Sequence, residues 1–206
     1  YTLDNGRVLP RLQVFNLGEW LADLVRQNAE AARWAGVELR LRPCKYWVQS
    51  DPALLATMVQ NVLSNCFKYG AQRPVLIGVR KRGVGLAIVI YDRGNGIAEE
   101  HLPKVFEEFY RVRQVRDKDV EGVGLGLSIV KRLGQLIGVD VALRSQLGRG
   151  TAVSLYGLPV AVAPQLPVMR DDVRQAGLLT GLKVCLVEDD RNVLLATSAL
   201  LERWGC

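Results

Sequence analysis

The sequence carries one histidine, His101, in 206 residues. A single imidazole excludes a His-based metal centre and makes a Ser–His–Asp triad implausible. Four cysteines, Cys44, Cys66, Cys185 and Cys206, stand far apart with no Cys-x-x-Cys pair. That spacing offers no zinc site, and so few thiols argue against a secreted disulfide scaffold. A reducing, cytoplasmic setting is the expectation. No apolar run reaches the eighteen residues of a bilayer span, and the longest candidate, residues 157–169, is interrupted by Pro159, Pro164 and Pro167. No basic, apolar and small-residue leader opens the chain, which starts on Tyr1 and reads as a piece of something longer. Negative charge is in deficit, 27 Lys and Arg against 21 Asp and Glu, for a formal charge of +6. Such a balance suits phosphate-bearing partners without separating a nucleotide from a nucleic acid, and a solubilising surface accounts for it equally well.

Hydrophobic residues at 49% and charged residues at 23% match ordinary globular chains and exclude disorder. Residues 17–35 set Leu17, Trp20, Leu21, Leu24 and Val25 on one helical face that ends at Gly36. Val37, Leu39 and Leu41 alternate with charged residues as in a half-buried strand, and a second short strand is expected over 46–49. Asp51-Pro52 then opens a helix to about Tyr69, with a capping carboxylate and proline at the first helical position. Strands are expected over 75–81 and 86–91, joined by a hairpin turn at Arg82-Gly83-Val84-Gly85, and again over 139–145 and 151–157. A short helix near 99–105 and a longer one over 125–137 lie between them. The stretch from about 158 to 180 bears prolines and lacks apolar periodicity, as a linker does. An apolar strand over 183–187 and a helix from about 192 to 204 follow it.

Three clusters carry candidate chemistry. In the helix after Asp51, Leu55, Val59, Val62, Leu63 and Cys66 form the buried stripe, while Asn61, Asn65 and Lys68 share another face. Two asparagines one turn apart suit an amide oxygen on a metal, and the lysine suits phosphate; an ordinary solvated face is the plain alternative. The segment Asp92-Arg93-Gly94-Asn95-Gly96-Ile97 follows an apolar strand, so its carboxylate can face a pocket where glycines let the backbone approach a ligand. A simple turn would read the same. Finally, Gly122-Val123-Gly124-Leu125-Gly126-Leu127-Ser128 runs three alternating glycines into a helix, converging free N–H groups on one anion site. A triphosphate fits there, although the spacing is neither that of the Lys-bearing phosphate loop nor that of the dinucleotide fingerprint.

In this order the motifs resemble the catalytic ATP-binding domain of sensor histidine kinases. The asparagine-rich box is matched by Asn61-Val-Leu-Ser-Asn65-Cys-Phe-Lys68-Tyr69, and the first glycine box by Asp92-Arg-Gly94-Asn-Gly96-Ile97. Val105-Phe106-Glu-Glu-Phe109-Tyr110-Arg111 matches the phenylalanine box, Gly122-Val-Gly124-Leu125-Gly126 the second glycine box, and Gly148-Arg-Gly150-Thr151 the closing motif. The resemblance covers residues 17–158. It implies the Bergerat fold, a two-layer α/β sandwich of mixed sheet on helices, shared with gyrase-type and MutL-type ATPases. It further implies that Asn65 holds Mg²⁺ between phosphates with support from Asn61, and that Lys68 contacts phosphate. Tyr69 would lie along the adenine, Asp92 would accept its amino hydrogens, and Ile97 would pack on the ring. Gly94 and Gly96 would let the backbone close round the base, and Thr151 would close the pocket. Gly122, Gly124, Leu125 and Gly126 would form the phosphate-facing end of a lid, with Phe106 and Phe109 anchoring it or packing in the core.

The gyrase-type relatives carry a water-activating glutamate one turn before the metal-binding asparagine, where this sequence has Asn61. An amide is no general base, so the resemblance implies phosphoryl transfer to a histidine on a separate helical domain rather than hydrolysis. Residues 1–16 are expected to hold the end of that dimerisation domain, with residues 1–6 as its last helix running out, and His101 is expected at the surface. Residues 159–180 are the expected linker. The tail 181–206 resembles the opening strand and helix of a response-regulator receiver domain, in which Glu188 and Asp189 would belong to a Mg²⁺ pocket, as in hybrid histidine kinases. Expected partners are the histidine-bearing domain and a receiver or response regulator, with no nucleic acid and no membrane contact, for a monomeric fragment. The parent's anchoring is left open. A hydrolytic ATPase and a non-catalytic nucleotide-binding docking module stand as alternatives.

Overall fold

The computed structural model describes residues 2–4, 7–112, 123–164, 183–187 and 197–202, with backbone alone for 2–4 and 7–8. The chain divides into two compact units, Tyr1–Pro164 and Gln165–Cys206. The first unit runs β1 (Thr2–Asp4), β2 (Arg7–Leu9), β3 (Gln13–Asn16), α1 (Leu17–Gln27), α2 (Ala29–Trp34), β4 (Leu39–Leu41), β5 (Trp47–Ser50) and α3 (Pro52–Tyr69). It continues through β6 (Val75–Arg82), β7 (Gly85–Tyr91), a 3-10 helix (Glu99–Lys104), α4 (Gly126–Ile137), β8 (Asp140–Gln146), β9 (Gly150–Leu158) and β10 (Val160–Ala161).

A five-stranded mixed sheet, ordered β4-β6-β7-β9-β8, forms one layer, in which only β4 and β6 pair in parallel. The central strand β7 is hydrogen-bonded on both sides, and its alternate residues Leu86, Ile88 and Ile90 are fully buried. These share one core with Leu21 and Leu24 of α1, with Leu55, Met58, Val59, Leu63 and Cys66 of α3, and with Val130 of α4. The buried stripe of α3 stands as its spacing predicts, and the α/β sandwich as the resemblance implies.

Asp51 ties the segment before β3 to the start of α3. Its Oδ1 accepts the N–H groups of Ala53 and Leu54 at 3.0 Å each, and Oδ2 accepts the Arg11 N–H at 2.7 Å. With the carboxylate only 5% exposed, water cannot replace these bonds. Asp51→Ala is expected to cost about 2 kcal/mol, lowering Tm by roughly 5 °C in a thermal melt.

Several expectations are corrected. The helix over 17–35 is two helices, because the Asn28 side chain donates to the Leu24 carbonyl at 2.8 Å and ends α1 there. Residues 2–4 do not continue a helix: they pair antiparallel with Arg7–Leu9, in a register that leaves Asn5-Gly6 between Asp4 and Arg7. Asn-Gly between such strands is a strong hairpin signal that the helical reading passed over. The expected linker begins later, since Val160 and Ala161 pair with Val48 and Trp47 in a small sheet ordered β10-β5-β3. In the second unit, residues 183–187 form no strand, there being no neighbouring strand among the described residues to complete a ladder. Residues 197–202 are helical. Among the described residues, no helix is long and apolar enough to cross a membrane.

Candidate functional site

A cavity of about 350 Å³ opens between α3, the loop after β7, the ends of β8 and β9, and the start of α4. That volume lies within the usual range for small-molecule sites. Asn61, Asn65, Lys68 and Tyr69 of α3 line it, together with Asp92, Gly96, Ile97, Gly124, Leu125, Gly126 and Thr151. Four segments distant in sequence thus converge on one space. Gly94 stands behind Asp92 rather than on the wall. Gly122, Glu188 and Asp189 lie outside the described residues, as do residues 113–121, which hold most of the expected lid.

One end of the cavity is built round Asp92, which is 8% exposed. Its Oδ1 accepts the Gly94 N–H at 2.8 Å and the Thr151 N–H at 3.3 Å, while the Cys66 thiol donates to Oδ2 at 3.8 Å. Burial pushes the Asp92 carboxyl above the ordinary carboxylate range, against the opposing pull of those donors. Burial and the adjacent carboxylate together push the Cys66 thiol up, so it stays protonated and donates. Ile97, Leu143 and Val153 supply apolar wall beside these polar atoms. Such a pairing suits a flat, apolar ring bearing a hydrogen-bond donor.

The loop reaches this geometry through two close approaches. A Cβ on Gly94 would collide with the Tyr69 carbonyl oxygen, and one on Gly96 with that of Gln146; Gly96 also sits at φ +67°. Only glycine meets both demands.

The other end is polar. Asn61 and Cys66 are five residues apart on α3, about 7.5 Å along its axis. Asn61 Nδ2 donates to the Thr57 carbonyl at 2.8 Å, which leaves Oδ1 as the free acceptor. A Cβ on Gly126 would lie 3.4 Å from Asn61 Oδ1 and 3.7 Å from both amide atoms of Asn65. The first turn of α4 therefore abuts the two amides. No side chain caps that helix, so its leading N–H groups and positive end are open to an anion beside Asn61 and Asn65. The asparagine face lines the cavity, with Asn61 and Asn65 partly buried and Lys68 exposed.

Sequence reasoning missed several participants. Ser145 Oγ accepts the Ile97 N–H at 2.8 Å, donates to the Gly150 carbonyl at 2.9 Å and meets Thr151 Oγ1 at 2.8 Å, tying the loop to β8 and β9. A lone serine in a strand gives no sequence signal. Tyr110 and Arg111 line the cavity, though the phenylalanine box directs attention to its phenylalanines. His101 is not a plain surface residue: it is partly buried, and Nδ1 lies 2.8 Å from the Tyr110 hydroxyl. Phe109 neither lines the cavity nor packs in the core; it is 67% exposed at φ +63°, its N–H donating to the Gly124 carbonyl at 3.0 Å. Phe106 is partly buried, with the Lys131 ammonium 5.9 Å from its ring centroid.

Comparison with known proteins gives a consistent picture. The profile of the family described as histidine kinase-, DNA gyrase B-, and HSP90-like ATPase matches residues 50–162. The sensor-like histidine kinase SenX3 of Mycolicibacterium smegmatis is 34% identical over 155 residues, 74% of this chain and 40% of that protein. The aerobic respiration control sensor protein ArcB of Escherichia coli is 31% identical over 199 residues, 94% of this chain and 25% of that protein. The chain thus spans less than half the length of these relatives. Among solved structures, full-length ShkA in complex with AMPPNP superposes with a TM-score of 0.65 at 23% identity, over 96% of this chain and 40% of that one. The mycobacterial sensor histidine kinase MprB superposes at 0.62 and 24% identity, over 74% of this chain and all of that one. These likenesses match the sandwich described above.

Proposed function

Because the chain belongs to the histidine kinase-, DNA gyrase B-, and HSP90-like ATPase family, we propose that its cavity binds Mg²⁺·ATP and offers the γ-phosphoryl group to a histidine on a separate helical domain. The adenine would sit at the Asp92 end, its amino group donating to the carboxylate, between Tyr69 and Ile97. Thr151 would close that end, with Gly94 and Gly96 bringing the backbone against the base. The phosphates would lie toward Asn61, Asn65 and Lys68 and the leading N–H groups of α4, beside Gly124, Leu125 and Gly126.

A Mg²⁺ ion fits this donor set. It keeps most of its waters and phosphate oxygens, so one protein oxygen suffices, and the Asn65 amide lies beside the start of α4 where the phosphates would end. Bound there, the ion would neutralise charge on the phosphates. The protein's own part is positioning: Asn61 and Asn65 present amides, Lys68 an ammonium and α4 its N–H groups, with no covalent intermediate on the enzyme.

The observation that carries transfer over hydrolysis is Asn61. It occupies the turn before Asn65, with its amide nitrogen committed to Thr57, and presents an oxygen that cannot take up a proton from water. The chain should therefore bind ATP while hydrolysing it very slowly and leaving itself unlabelled. With γ-phosphate-tagged ATP, label should appear on a histidine only when the helical domain is supplied in cis or in trans. Steady turnover by the chain alone would favour a gyrase-type hydrolase, and an acid-labile phosphoryl group on His101 would overturn the reading. No binding of ATP at all would point to a docking module that has lost its ligand.

We also propose that residues 181–206 open a receiver domain, with Glu188 and Asp189 in its Mg²⁺ pocket, and that the partners are the histidine-bearing domain and a receiver or response regulator. Support comes from the tail's own sequence, in which the apolar run Val184-Cys-Leu-Val187 leads directly into Glu188-Asp189-Asp190. We further assign residues 1–16 to the connection from the helical domain and residues 162–180 to the linker.

A further inference from the structure

A carboxylate offers about four lone-pair sites, two on each oxygen. At Asp92 both sites of Oδ1 are taken, by the N–H groups of Gly94 and Thr151, and one site of Oδ2 is taken by the Cys66 thiol. Among the described residues this leaves one acceptor site, on Oδ2 of a side chain that lines the cavity. Cys66 also lines that wall and is only 4% exposed. From this arrangement we propose that Cys66 is a specificity-determining positioning residue: its thiol holds Asp92 as an acceptor with a single open site, which selects a 6-aminopurine over a 6-oxopurine. The inference rests on the nucleotide reading of the cavity.

Discrimination follows from what Asp92 can do without the thiol. An ionised carboxylate accepts from an amino group and repels a ring carbonyl. A protonated one can donate to that carbonyl, so its preference for the amine weakens. Removing a donor from Oδ2 favours the protonated form, because burial already disfavours the charge. The charged and titratable groups that line the same cavity are Cys66, Lys68 and Tyr69 of α3 with Tyr110 and Arg111, and Arg93 follows Asp92 in the chain. From β9 it meets the Thr151 N–H, whose hydroxyl is in turn held by Ser145. The Cys66 thiol donates to Oδ2.

The test compares ADP with inosine diphosphate by calorimetry on the 206-residue chain. Cys66→Ala and Cys66→Val are expected to lower the preference for ADP by about five- to tenfold, and Cys66→Ser, which restores a donor, to bring it within about twofold of the parent. Alanine is smaller than cysteine and valine larger, so a loss common to both variants is the lost hydrogen bond rather than a change of volume. Equal weakening of both diphosphates, or an unchanged ratio, would reduce Cys66 to packing and overturn the proposal. A second measurement is independent of nucleotide: carbon NMR titration of the Asp92 carboxyl in the ligand-free chain. Its midpoint should rise in the Ala and Val variants and return in Ser. If the parent bound neither diphosphate, the nucleotide reading and the selection would both fall. A midpoint that did not move would remove the thiol's hold on Asp92 whatever the chain binds.

Discussion

Asp92→Asn is expected to weaken ADP binding by about ten- to a hundredfold in calorimetry at neutral pH. The amide oxygen can take the place of Oδ1 and keep the N–H groups of Gly94 and Thr151. Its nitrogen then stands where Oδ2 was, aiming donors at the Cys66 thiol and at the purine amine. The flipped amide is worse, since it turns those donors on two backbone N–H groups. The first orientation leaves no acceptor for the base, and the flipped one restores an acceptor only by setting its donors against those two N–H groups. Stability should move the other way. The folded pKa of Asp92 is raised by burial, so its contribution to stability is full below the unfolded value and is lost as the pH rises through the folded one. At neutral pH the buried charge is a net cost that asparagine removes. A variant that melts at or above the parent temperature yet fails to bind ADP would separate base recognition from folding; undiminished affinity would refute the assignment of the base end.

The second large effect is on transfer. Asn65→Ala should reduce labelling of a supplied histidine domain by about a hundred- to a thousandfold, the range typical for removing one preorganised polar group that acts in the transition state. ADP binding measured without Mg²⁺ should change little, because Asn65 faces the start of α4 rather than the Asp92 end. Loss of both would place Asn65 in general packing. Undiminished transfer would exclude it as a metal ligand.

Much of this site could be read in the sequence because its chemistry is local. Asn61, Asn65 and Lys68 share a face through helical periodicity alone, and Asp92, Gly94 and Gly96 sit on a loop whose glycines are demanded by backbone contact. The Asp51-Pro52 cap placed the start of α3 without further help. What escaped was non-local. Ser145 matters because β8 lies beside β9 and brings it to Thr151 and Ile97. Cys66 reads as core from its spacing, and it is core; its second bond, to a residue 26 positions away, has no signature. Tyr110 and His101 meet across a short helical turn that their spacing did not announce. The edge pairing of β10 depends on β5, more than a hundred residues earlier, so proline content alone misplaced the linker.

The two walls of the cavity differ in kind. α3 contributes Asn61, Asn65, Lys68 and Tyr69 from the same helix that buries Leu55, Val59 and Leu63 completely. Opening the cavity on this side would mean stripping that apolar stripe from the sheet, at a cost close to that of unfolding the domain. The facing wall includes Tyr110, Arg111 and Val123, which are loop residues, with Val123 67% exposed. On the proposed reading, a captured nucleotide would therefore leave by the loop side. Substitutions there would change how long the ligand stays while the contacts that recognise it keep their form, so affinity and exchange rate can be tuned on opposite faces of one cavity.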